Sequence, residues 1–408
     1  MNRVLLIGDT HPEMIAIANK LAMEGIHYQI ILPTYFTFAE AEFLTRFRII
    51  NSKYRPWLIK RTLNPRIAKE NLIRTYALLE FFSWILRNKG FHNLSWHFLR
   101  FYLYCNRRKI TSIITSAEPN LIVSYDTMIF PKTLKQDLVV ICPMSHPASV
   151  QTHLSLAKNK FPNWPEMEDE APLGNNDTAL AAKKIVVFSA FAKQSYIDQG
   201  FRESQIEIIH IGAINGNRSP LCKPEYNSSK KLHLLYLGRM TRIKGIDAIM
   251  QVSELLNPED FKISLVGQCS PNIAKYIRGN SNNSILELAS NPTSHEVEHY
   301  FRQADIFVLP SFSEGFSIAS LEAMSFGLIP ILSTSTGVSE ILKNTKLESL
   351  IIEPGNVEQL LNRLLLLNQK SSTSISELKE LSIDLSQKCS FDNFANEFYR
   401  LLIRDFAS

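Results

Sequence analysis

The stretch at 307–337 constrains the fold more than any other part of this 408-residue chain. A short apolar run at 307–309 is followed by a turn-rich loop at 310–317, and then by a helical segment at 318–326 that a glycine ends. A second apolar run, Ile329–Leu332, comes next. Strand, loop, helix and strand in this order form the unit from which parallel sheets are built, so the sequence predicts an α/β fold.

Two carboxylates stand out in this stretch, Glu314 in the loop and Glu322 in the helix. The loop follows a strand, and open α/β sheets bind ligands at the carboxyl edge of their strands. The free N–H groups at a helix start, here near Ser320 and Leu321, bind anions. A carboxylate for hydroxyl groups, an anion site and a second carboxylate for a ribose diol suit a nucleotide-sugar. The alternative is a pair of solvated acids near a helix start.

Two cations occupy a similar position in an earlier strand–turn–helix segment. The strand Leu232–Leu237 ends at Gly238 and Arg239, and Lys244 follows five residues later, just before a helix. Both side chains can point at the anion that the helix start receives. Arginine is a bidentate hydrogen-bond donor and lysine is a compact positive charge. Together they would stabilise a departing nucleoside diphosphate. The alternative is a pair of surface bases.

Length and cysteine usage restrict the class of protein. The chain is long enough for two α/β domains of ordinary size. Its five cysteines lie far apart and form no Cys-x-x-Cys pair, which predicts a reducing compartment and a cytoplasmic protein. The apolar run after the first residues is too short for a signal peptide, and no apolar stretch is long enough to span a bilayer.

The segment at 43–110 is basic and aromatic, with a net charge of about +13 against +5 for the entire chain. Such a segment suits peripheral contact with an anionic membrane surface, at its inner face, or an anionic lipid-linked acceptor. Alternatively, its aromatic side chains are core and its charges form a solvated face. No nucleic-acid-binding motif accompanies the charge, so we expect no nucleic-acid partner.

These motifs resemble those of the family 4 retaining glycosyltransferases. Glu314 and Glu322 have the family's spacing of seven intervening residues, with Gly-Phe after the first, and Gly238, Arg239 and Lys244 reproduce its Gly-Arg-x4-Lys-Gly pattern. The resemblance implies a GT-B fold: two Rossmann-like domains with parallel sheets facing a cleft, and a C-terminal helix that crosses back to the first domain. It is strongest over 232–342 and nearly absent from 36–119.

The resemblance also implies an activity, which is transfer of a hexose-type sugar from a nucleotide-sugar to a glycan or lipid-linked acceptor with retention of configuration, in polysaccharide biosynthesis at the cell envelope. Glu314 would hold sugar hydroxyls, and His146, in a loop after a strand, would contact the sugar from across the cleft. The catalytic candidates are His146, Arg239, Lys244 and Glu314. The donor-binding candidates are Gly8, Gly238, Gly315, Phe316, Ser317, Ser320, Leu321 and Glu322.

Two features bear on metals. No Asp-x-Asp pair is present to hold a metal–diphosphate, so we expect a metal-independent enzyme without a cofactor. A formal His-Glu-x-x-His sequence at 295–299 would suit zinc if it lay on a helix with a third ligand. The alternative is that Glu296 forms a capping box with Thr293.

The domain limits follow from composition. We expect an acceptor-binding domain at 1–213 that contains the basic insertion, a Gly/Pro/Ser/Asn-rich linker at 214–230, a nucleotide-sugar-binding domain at 231–385 and a crossover helix at 386–408. The turn after Gly8 lacks a second glycine and is not a dinucleotide fingerprint. A non-catalytic partner subunit of another glycosyltransferase, or a sugar-nucleotide epimerase, remains the alternative function.

Overall fold

The computed structural model describes residues 3–8, 12–32, 46, 67, 69–74, 86, 92–126, 135–165, 177–212, 231–282, 284–290 and 292–406. Within these ranges the strands form two sheets, with the orders β3-β2-β1-β4-β5-β6-β7 and β10-β9-β8-β11-β12. The first sheet contains β1 (Val4–Ile7), β2 (Tyr28–Leu32), β3 (Leu72–Arg74), β4 (Leu121–Tyr125), β5 (Asp137–Cys142), β6 (Lys184–Val187) and β7 (Ile206–Ile208). The second contains β8 (Leu232–Leu237), β9 (Phe261–Gly267), β10 (Leu286–Ser290), β11 (Ile306–Leu309) and β12 (Ile329–Leu332).

Helices connect most of these strands. They are α1 (Pro12–Met23), α2 (His92–Ala117), α3 (Pro147–Lys160), α4 (Asp177–Ala181), α5 (Ala190–Ile197), α6 (Ile246–Leu255), α7 (Pro271–Gly279), α8 (Ser294–Gln303), α9 (Ile318–Ser325), α10 (Val357–Asn368), α11 (Ser372–Gln387) and α12 (Phe391–Phe406). Short 3-10 turns occur at Arg242–Lys244 and Gly337–Leu342. The alternation of strands and helices confirms the predicted α/β class with two parallel sheets.

Most of the strands are short and buried on both faces. Every residue of β1, β11 and β12 is buried, as expected for parallel strands covered by helices on both sides. β1 pairs in parallel with β2 and β4, and β11 pairs in parallel with β8 and β12. Continuous apolar runs of four to six residues are therefore the sequence signal for both sheets.

The strand order of the second sheet positions the functional motifs. The chain runs outward from β8 through β9 to β10, then returns to the other side of β8 with β11 and β12. The loops that follow β8 and β11 consequently lie side by side at the carboxyl edge of the sheet. Open α/β sheets bind ligands at such a reversal of strand order, and these two loops carry 238–244 and 310–317.

By its internal contacts the chain divides into two compact units. Unit 1 comprises Met1–Cys142, Asn175–Val186 and Phe394–Ser408, and unit 2 comprises Pro143–Gly174 and Val187–Asn393. Within unit 1, α12 contacts α1 through Lys20 and Tyr399, and contacts the start of β6 through an ion pair of Lys184 with Asp405 at 3.1 Å. The domain limits predicted from the sequence stay predictions.

The helix α11 begins in a stretch whose composition alone predicts a polar connection. The Ser/Thr run at 371–374 favours such a connection, but Ser371 caps α11 by accepting a hydrogen bond from the Ser374 N–H at 3.2 Å. Serine is unfavourable inside a helix and favourable at its start, because its hydroxyl can accept a bond from the first turn. The run therefore marks the beginning of a 16-residue helix.

The His-Glu-x-x-His sequence lies on α8, where the capping box is confirmed. Glu296 accepts a hydrogen bond from the Thr293 N–H at 2.6 Å, and the Thr293 hydroxyl accepts one from the Glu296 N–H at 3.3 Å. Among the described residues, no three His, Cys, Asp or Glu side chains are grouped so that they could hold a metal ion.

The linker predicted at 214–230 and most of the basic insertion at 43–110 lie outside the described residues. Within the described part of the insertion, α2 exposes Phe101, Tyr104, Arg107 and Arg108. No helix in the described part of the chain is long and apolar enough to cross a membrane.

Candidate functional site

The loop that carries Glu314 is held in place through its backbone. The Glu314 N–H donates to the Ser335 carbonyl at 2.9 Å, and the Glu314 carbonyl accepts from the Gly337 N–H at 3.0 Å. These bonds join the loop after β11 to the loop after β12, as one residue pair of a parallel ladder. The backbone of Glu314 is thus fixed against the loop that follows β12.

The Glu314 carboxylate forms an ion pair with Lys244. The Lys244 Nζ contacts Oε2 of Glu314, and the two side chains are only 14% and 17% exposed. Lys244 ends the 3-10 turn after β8, while Glu314 lies in the loop after β11, so the pair bridges the two loops at the reversal of strand order. From the residue pattern alone the two residues have separate predicted roles, and the structure brings them into direct contact.

Arg239 lies in the same region. Its side chain is exposed, and its carbonyl accepts a hydrogen bond from the buried Tyr236 hydroxyl at 2.6 Å. Burial raises the pKa of Tyr236, the negative charge of Glu314 raises it further, and the positive charge of Arg239 opposes the rise. Arg239 thus lies just after β8, on the same loop as Lys244.

Two glycines allow the chain segments around this pair to approach closely. Gly245 has φ +75°, and a Cβ at that position would lie 2.3 Å from the Pro310 carbonyl oxygen. A Cβ on Gly315 would lie 2.3 Å from the Pro143 carbonyl oxygen. Neither site has room for a side chain, so both glycines are needed for the loops to meet.

The start of α9 follows the Glu314 loop. Ser317 caps this helix in a left-handed conformation, with φ +77°, and its carbonyl accepts from the amides of Ser320 at 3.2 Å and Leu321 at 3.4 Å. Within the described residues, the amides of Ile318 and Ala319 have no acceptor. The amides that are free to bind an anion thus come from the first two helical residues, and the amides of Ser320 and Leu321 are already engaged.

Glu322 lies one turn further along α9. Burial raises the pKa of its carboxyl group. In the part of the chain that the structure describes, its carboxylate has no hydrogen-bond or ion-pair partner. A half-buried carboxylate without a partner is costly, and such a group marks a candidate site for hydrogen-bond donors from a ligand.

His146 begins a helix instead of lying in an open loop. Its Nδ1 accepts a hydrogen bond from the Ala148 N–H at 3.2 Å, which caps α3, and Pro147 occupies the first helical position. The ring is 4% exposed and contacts the Tyr196 ring edge-on at 5.2 Å. Burial lowers the pKa of His146. The predicted contact with a sugar stays a prediction.

Gly8 belongs to unit 1, whereas the other predicted site residues belong to unit 2. Gly8 is buried, and a Cβ there would lie 3.0 Å from the Met14 side chain and 3.2 Å from the Tyr125 ring. This glycine therefore serves local packing in unit 1, and its predicted role in donor binding stays a prediction.

Three residues next to the site were not predicted. The Ser189 hydroxyl donates to the Gly315 carbonyl at 2.6 Å, the His210 ring stacks on the Phe316 ring with centroids 5.4 Å apart, and Glu340 contacts His210 at 2.6 Å. Glu340 follows a glycine after β12, which was the one available signal. Nothing in the residue pattern around Ser189 or His210 indicates that they reach a loop more than 100 positions away.

Parts of the chain are similar to known proteins. Residues 222–379 match the family model described as "Glycosyl transferases group 1". The chain is similar to the D-inositol 3-phosphate glycosyltransferase of Pseudarthrobacter chlorophenolicus, at 31% identity over 113 residues, 26% of this chain and 27% of that protein. It is also similar to the GDP-mannose:cellobiosyl-diphosphopolyprenol alpha-mannosyltransferase of Xanthomonas oryzae pv. oryzae, at 33% identity over 107 residues, 24% of this chain and 28% of that protein.

The match spans only about a quarter of the length of these curated relatives. Among solved structures, the sucrose-phosphate synthase of Thermosynechococcus elongatus is similar over 100% of both chains, with a TM-score of 0.62 at 15% identity. This similarity confirms the predicted GT-B fold. Arg239, Lys244, Glu314 and Glu322 all lie within the range that matches the family model.

Proposed function

We propose that this chain is a retaining, metal-independent glycosyltransferase that moves a hexose-type sugar from a nucleotide-sugar to a glycan or lipid-linked acceptor. The contact between Lys244 and Glu314, where the strand order of the second sheet reverses, carries the proposal. A nucleotide-sugar joins a diphosphate to a neutral sugar, and it needs a cation and a hydroxyl acceptor side by side. The match of 222–379 to the group 1 glycosyl transferases supports the same function.

The donor binds without breaking the ion pair. A lysine ammonium has three N–H donors and a carboxylate has about four acceptor positions, so the pair leaves capacity on both groups. Within the described residues, Oε1 of Glu314 has no hydrogen bond. Lys244 therefore binds a phosphate oxygen while Glu314 accepts a hydrogen bond from a sugar hydroxyl, and each group keeps the other oriented.

The leaving group is stabilised by protein groups. When the bond between the sugar C1 and the phosphate oxygen breaks, negative charge develops on the diphosphate. Arg239, Lys244 and the free amides of Ile318 and Ala319 supply positive charge and donors for it. This assignment moves the amide contacts from Ser320 and Leu321 to the two preceding residues.

Glu322 binds the ribose. Its carboxylate lacks a partner among the described residues, and burial disfavours its charge. The two hydroxyls of a ribose diol supply the donors that a half-buried carboxylate needs. The nucleoside is thereby held one helical turn beyond the amides that bind its diphosphate.

The proposed sugar transfer needs no side chain as a general base. The acceptor hydroxyl attacks C1 from the face that the diphosphate leaves, and its proton passes to the departing phosphate oxygen. One glycosidic bond forms, one sugar–phosphate bond breaks, and the anomeric configuration is retained. Nothing is oxidised or reduced, and no metal or cofactor takes part.

The acceptor is a glycan or a lipid-linked sugar at the inner face of a membrane, in polysaccharide biosynthesis. The charge of about +13 at 43–110 supports an anionic acceptor or surface there. The Xanthomonas relative is named for a diphosphopolyprenol acceptor, which supports the same class.

Substitution of Glu322 tests the proposed function. A thermal-shift screen of UDP-, GDP-, ADP- and dTDP-sugars identifies the donor, because a ligand that binds only the folded state raises the melting temperature. Release of nucleoside diphosphate is then measured with and without acceptor and chelator. We expect Glu322→Ala to lower kcat/KM by about 100-fold or more, the effect of losing a buried partner worth about 3 kcal/mol, while the variant stays folded.

The matched control is Glu254→Ala, which removes an exposed carboxylate from α6. It should retain full activity, and chelator should not change the rate. Normal turnover by Glu322→Ala would reject the ribose assignment. Nucleotide-sugar binding without any acceptor-dependent release would instead identify a non-catalytic partner subunit.

A further inference from the structure

The Glu314–Phe316 loop is held by two flanking parts of unit 2. On one side lies the 3-10 turn Gly337–Leu342, whose Gly337 N–H donates to the Glu314 carbonyl at 3.0 Å and whose Val338 N–H donates to the Phe316 carbonyl at 3.0 Å. These bonds fix the backbone of the loop. They do not fix the position of the 3-10 turn relative to the rest of unit 2.

On the other side lie the two ends of the segment 189–210, which contains α5 and is called the α5 segment here. Ser189, which caps α5, donates from its hydroxyl to the Gly315 carbonyl at 2.6 Å. The His210 ring stacks on the Phe316 ring, with centroids 5.4 Å apart and planes inclined by 20°. Phe316 is 2% exposed, so this stacking closes one face of the loop.

Glu340 joins these two flanks. One carboxylate oxygen, Oε2, accepts a hydrogen bond from the Ala190 N–H at 2.8 Å, and the other, Oε1, contacts His210 Nε2 at 2.6 Å. Ala190 is the first residue of α5, where free amides and the helix dipole favour a carboxylate. Glu340 lies on the 3-10 turn, so a single side chain ties the turn to both ends of the α5 segment.

The junction has no spare room. A Cβ on Gly337 would lie 2.2 Å from the Gly315 carbonyl oxygen and 2.7 Å from the Ser189 hydroxyl oxygen. Any shift of the turn or of Ser189 is therefore transmitted directly to Gly315, the neighbour of Glu314. Loss of the Glu340 contacts would let the flanks move, and the Glu314 carboxylate would move with them.

We propose that Glu340 and His210 are positioning residues for the donor sugar: they act through the Glu314–Phe316 loop and set where the Glu314 carboxylate meets the sugar hydroxyls. This inference rests on the proposed function. It separates two parts of donor recognition. The sugar depends on the position of the Glu314 carboxylate, whereas the nucleoside diphosphate is held mainly by Arg239 and Glu322, which lie outside this junction. Lys244 keeps its ion pair with Glu314 in both cases, so its contact with the phosphate changes less than the contact of Glu314 with the sugar.

Because sugar binding and diphosphate binding depend on different residues, the two affinities can be measured separately. A merely structural role of Glu340 and His210 would change both affinities equally. UDP is titrated against UDP-glucose, and GDP against GDP-mannose, with wild-type protein and each variant. We expect Glu340→Ala and His210→Phe to weaken binding of the nucleotide-sugar by about tenfold and to raise its KM, while the affinity for the nucleoside diphosphate changes less than about twofold. His210→Phe keeps the ring on Phe316 and removes only the contact with Glu340.

Glu340→Gln serves as the conservative rescue. Its amide oxygen can accept from the Ala190 N–H and its amide N–H can donate to His210, so it should restore most of the sugar affinity. The matched control is His299→Phe, because His299 also contacts an aromatic ring, that of Tyr300 at 6.4 Å, and lies on α8, outside this junction. This control should leave both affinities unchanged.

The outcomes separate the two proposals. If wild-type protein binds UDP-glucose or GDP-mannose and Glu322→Ala lowers kcat/KM by about 100-fold or more, the proposed function stands. Equal losses of nucleotide and nucleotide-sugar affinity in His210→Phe, or no loss in either, would then overturn the positioning role alone. If wild-type protein binds no nucleotide-sugar at all, both proposals fail. Should Glu340→Ala not fold, His210→Phe still decides the question.

Discussion

At the scale of single residues, the ribose site proposed at Glu322 is expected to cost stability. Burial raises the pKa of its carboxyl group, and no described residue offers it a partner. A charged group in such a place destabilises the free protein and becomes useful only when a ligand supplies donors. The same reasoning covers Ser317, whose φ of +77° at the start of α9 is a strained conformation for a residue with a side chain.

The cost at Glu322 can be measured as a function of pH. Because the folded protein holds the Glu322 proton more tightly than the unfolded chain does, the free energy of unfolding falls as the pH rises from about the ordinary value of 4.5 through the raised pKa. We expect Glu322→Gln, which stays neutral, to be more stable than wild-type protein at pH 7.5, and this advantage to shrink towards pH 4.5.

Urea denaturation at both pH values measures this difference. Glu254→Gln is the matched control, since the Glu254 side chain is exposed, and it should match wild-type protein at both pH values. An advantage for Glu322→Gln that does not change with pH would contradict the assigned burial.

The sequence indicated the residue types of the site but not their contacts. Glu314, Lys244 and Arg239 were found because each follows a strand at the carboxyl edge of a parallel sheet, where the chain order alone predicts proximity. That Lys244 pairs with Glu314 depends on side-chain reach, which residue spacing does not encode. The free amides were predicted two residues too late, because the helix start depends on the left-handed backbone of Ser317.

At the scale of elements, α11 is anchored by a buried ion pair. Lys379 contacts Asp305 at 2.6 Å, with side chains that are 6% and 16% exposed, and Asp305 also accepts from the His233 N–H at 3.1 Å. The pair ties α11 to the start of β11, the strand that leads to the Glu314 loop. Charges buried this far from water are stable only as a pair.

We expect Lys379→Met to destabilise the protein by about 3 kcal/mol, because it leaves the Asp305 carboxylate buried without its cation. The matched control is Lys346→Met, which breaks an ion pair with Glu377, also on α11, in which both side chains are more than half exposed. Exposed pairs contribute little, so the control should cost less than about 0.5 kcal/mol. Chemical denaturation of both variants measures the two values, and equal losses would contradict the role given to burial.

The elements differ in how well the sequence predicted them. The strands Leu232–Leu237 and Ile329–Leu332 have the predicted limits, because a buried parallel strand is a short apolar run between turn residues. The helices Pro147–Lys160 and Ser372–Gln387 were missed. Both begin with residues that also favour loops, His-Pro in one and a serine run in the other, and only tertiary packing decides between these readings.

At the scale of the whole molecule, the uneven charge gives a prediction about membranes. The segment at 43–110 carries about +13, whereas the chain as a whole carries +5. On α2, Arg107 and Arg108 are exposed within this segment, and Phe101 and Tyr104 are each 55% exposed. Basic residues near an anionic surface contribute about 1 kcal/mol each.

We expect the protein to bind vesicles that contain phosphatidylglycerol and not neutral phosphatidylcholine vesicles, with an affinity that falls as salt is added. Arg107→Gln with Arg108→Gln should weaken this binding by about 30-fold, the equivalent of about 2 kcal/mol. Lys370→Gln with Lys388→Gln removes the same charge from exposed positions in unit 2 and should have little effect. Equal binding of both vesicle types would reject the membrane contact and leave the solvated-face interpretation.

Because unit 2 is built from two separate stretches of the chain, the choice of junction matters when a hybrid of this protein and a relative is made. Its residues come from 143–174 and 187–393, so a hybrid joined at 214–230 would take the Glu314 loop from one parent and its supports from the other. The Pro143 carbonyl faces Gly315 at a distance that excludes any side chain, and Ser189 bonds to the same residue. A donor preference would therefore be inherited intact only when both stretches come from the same parent.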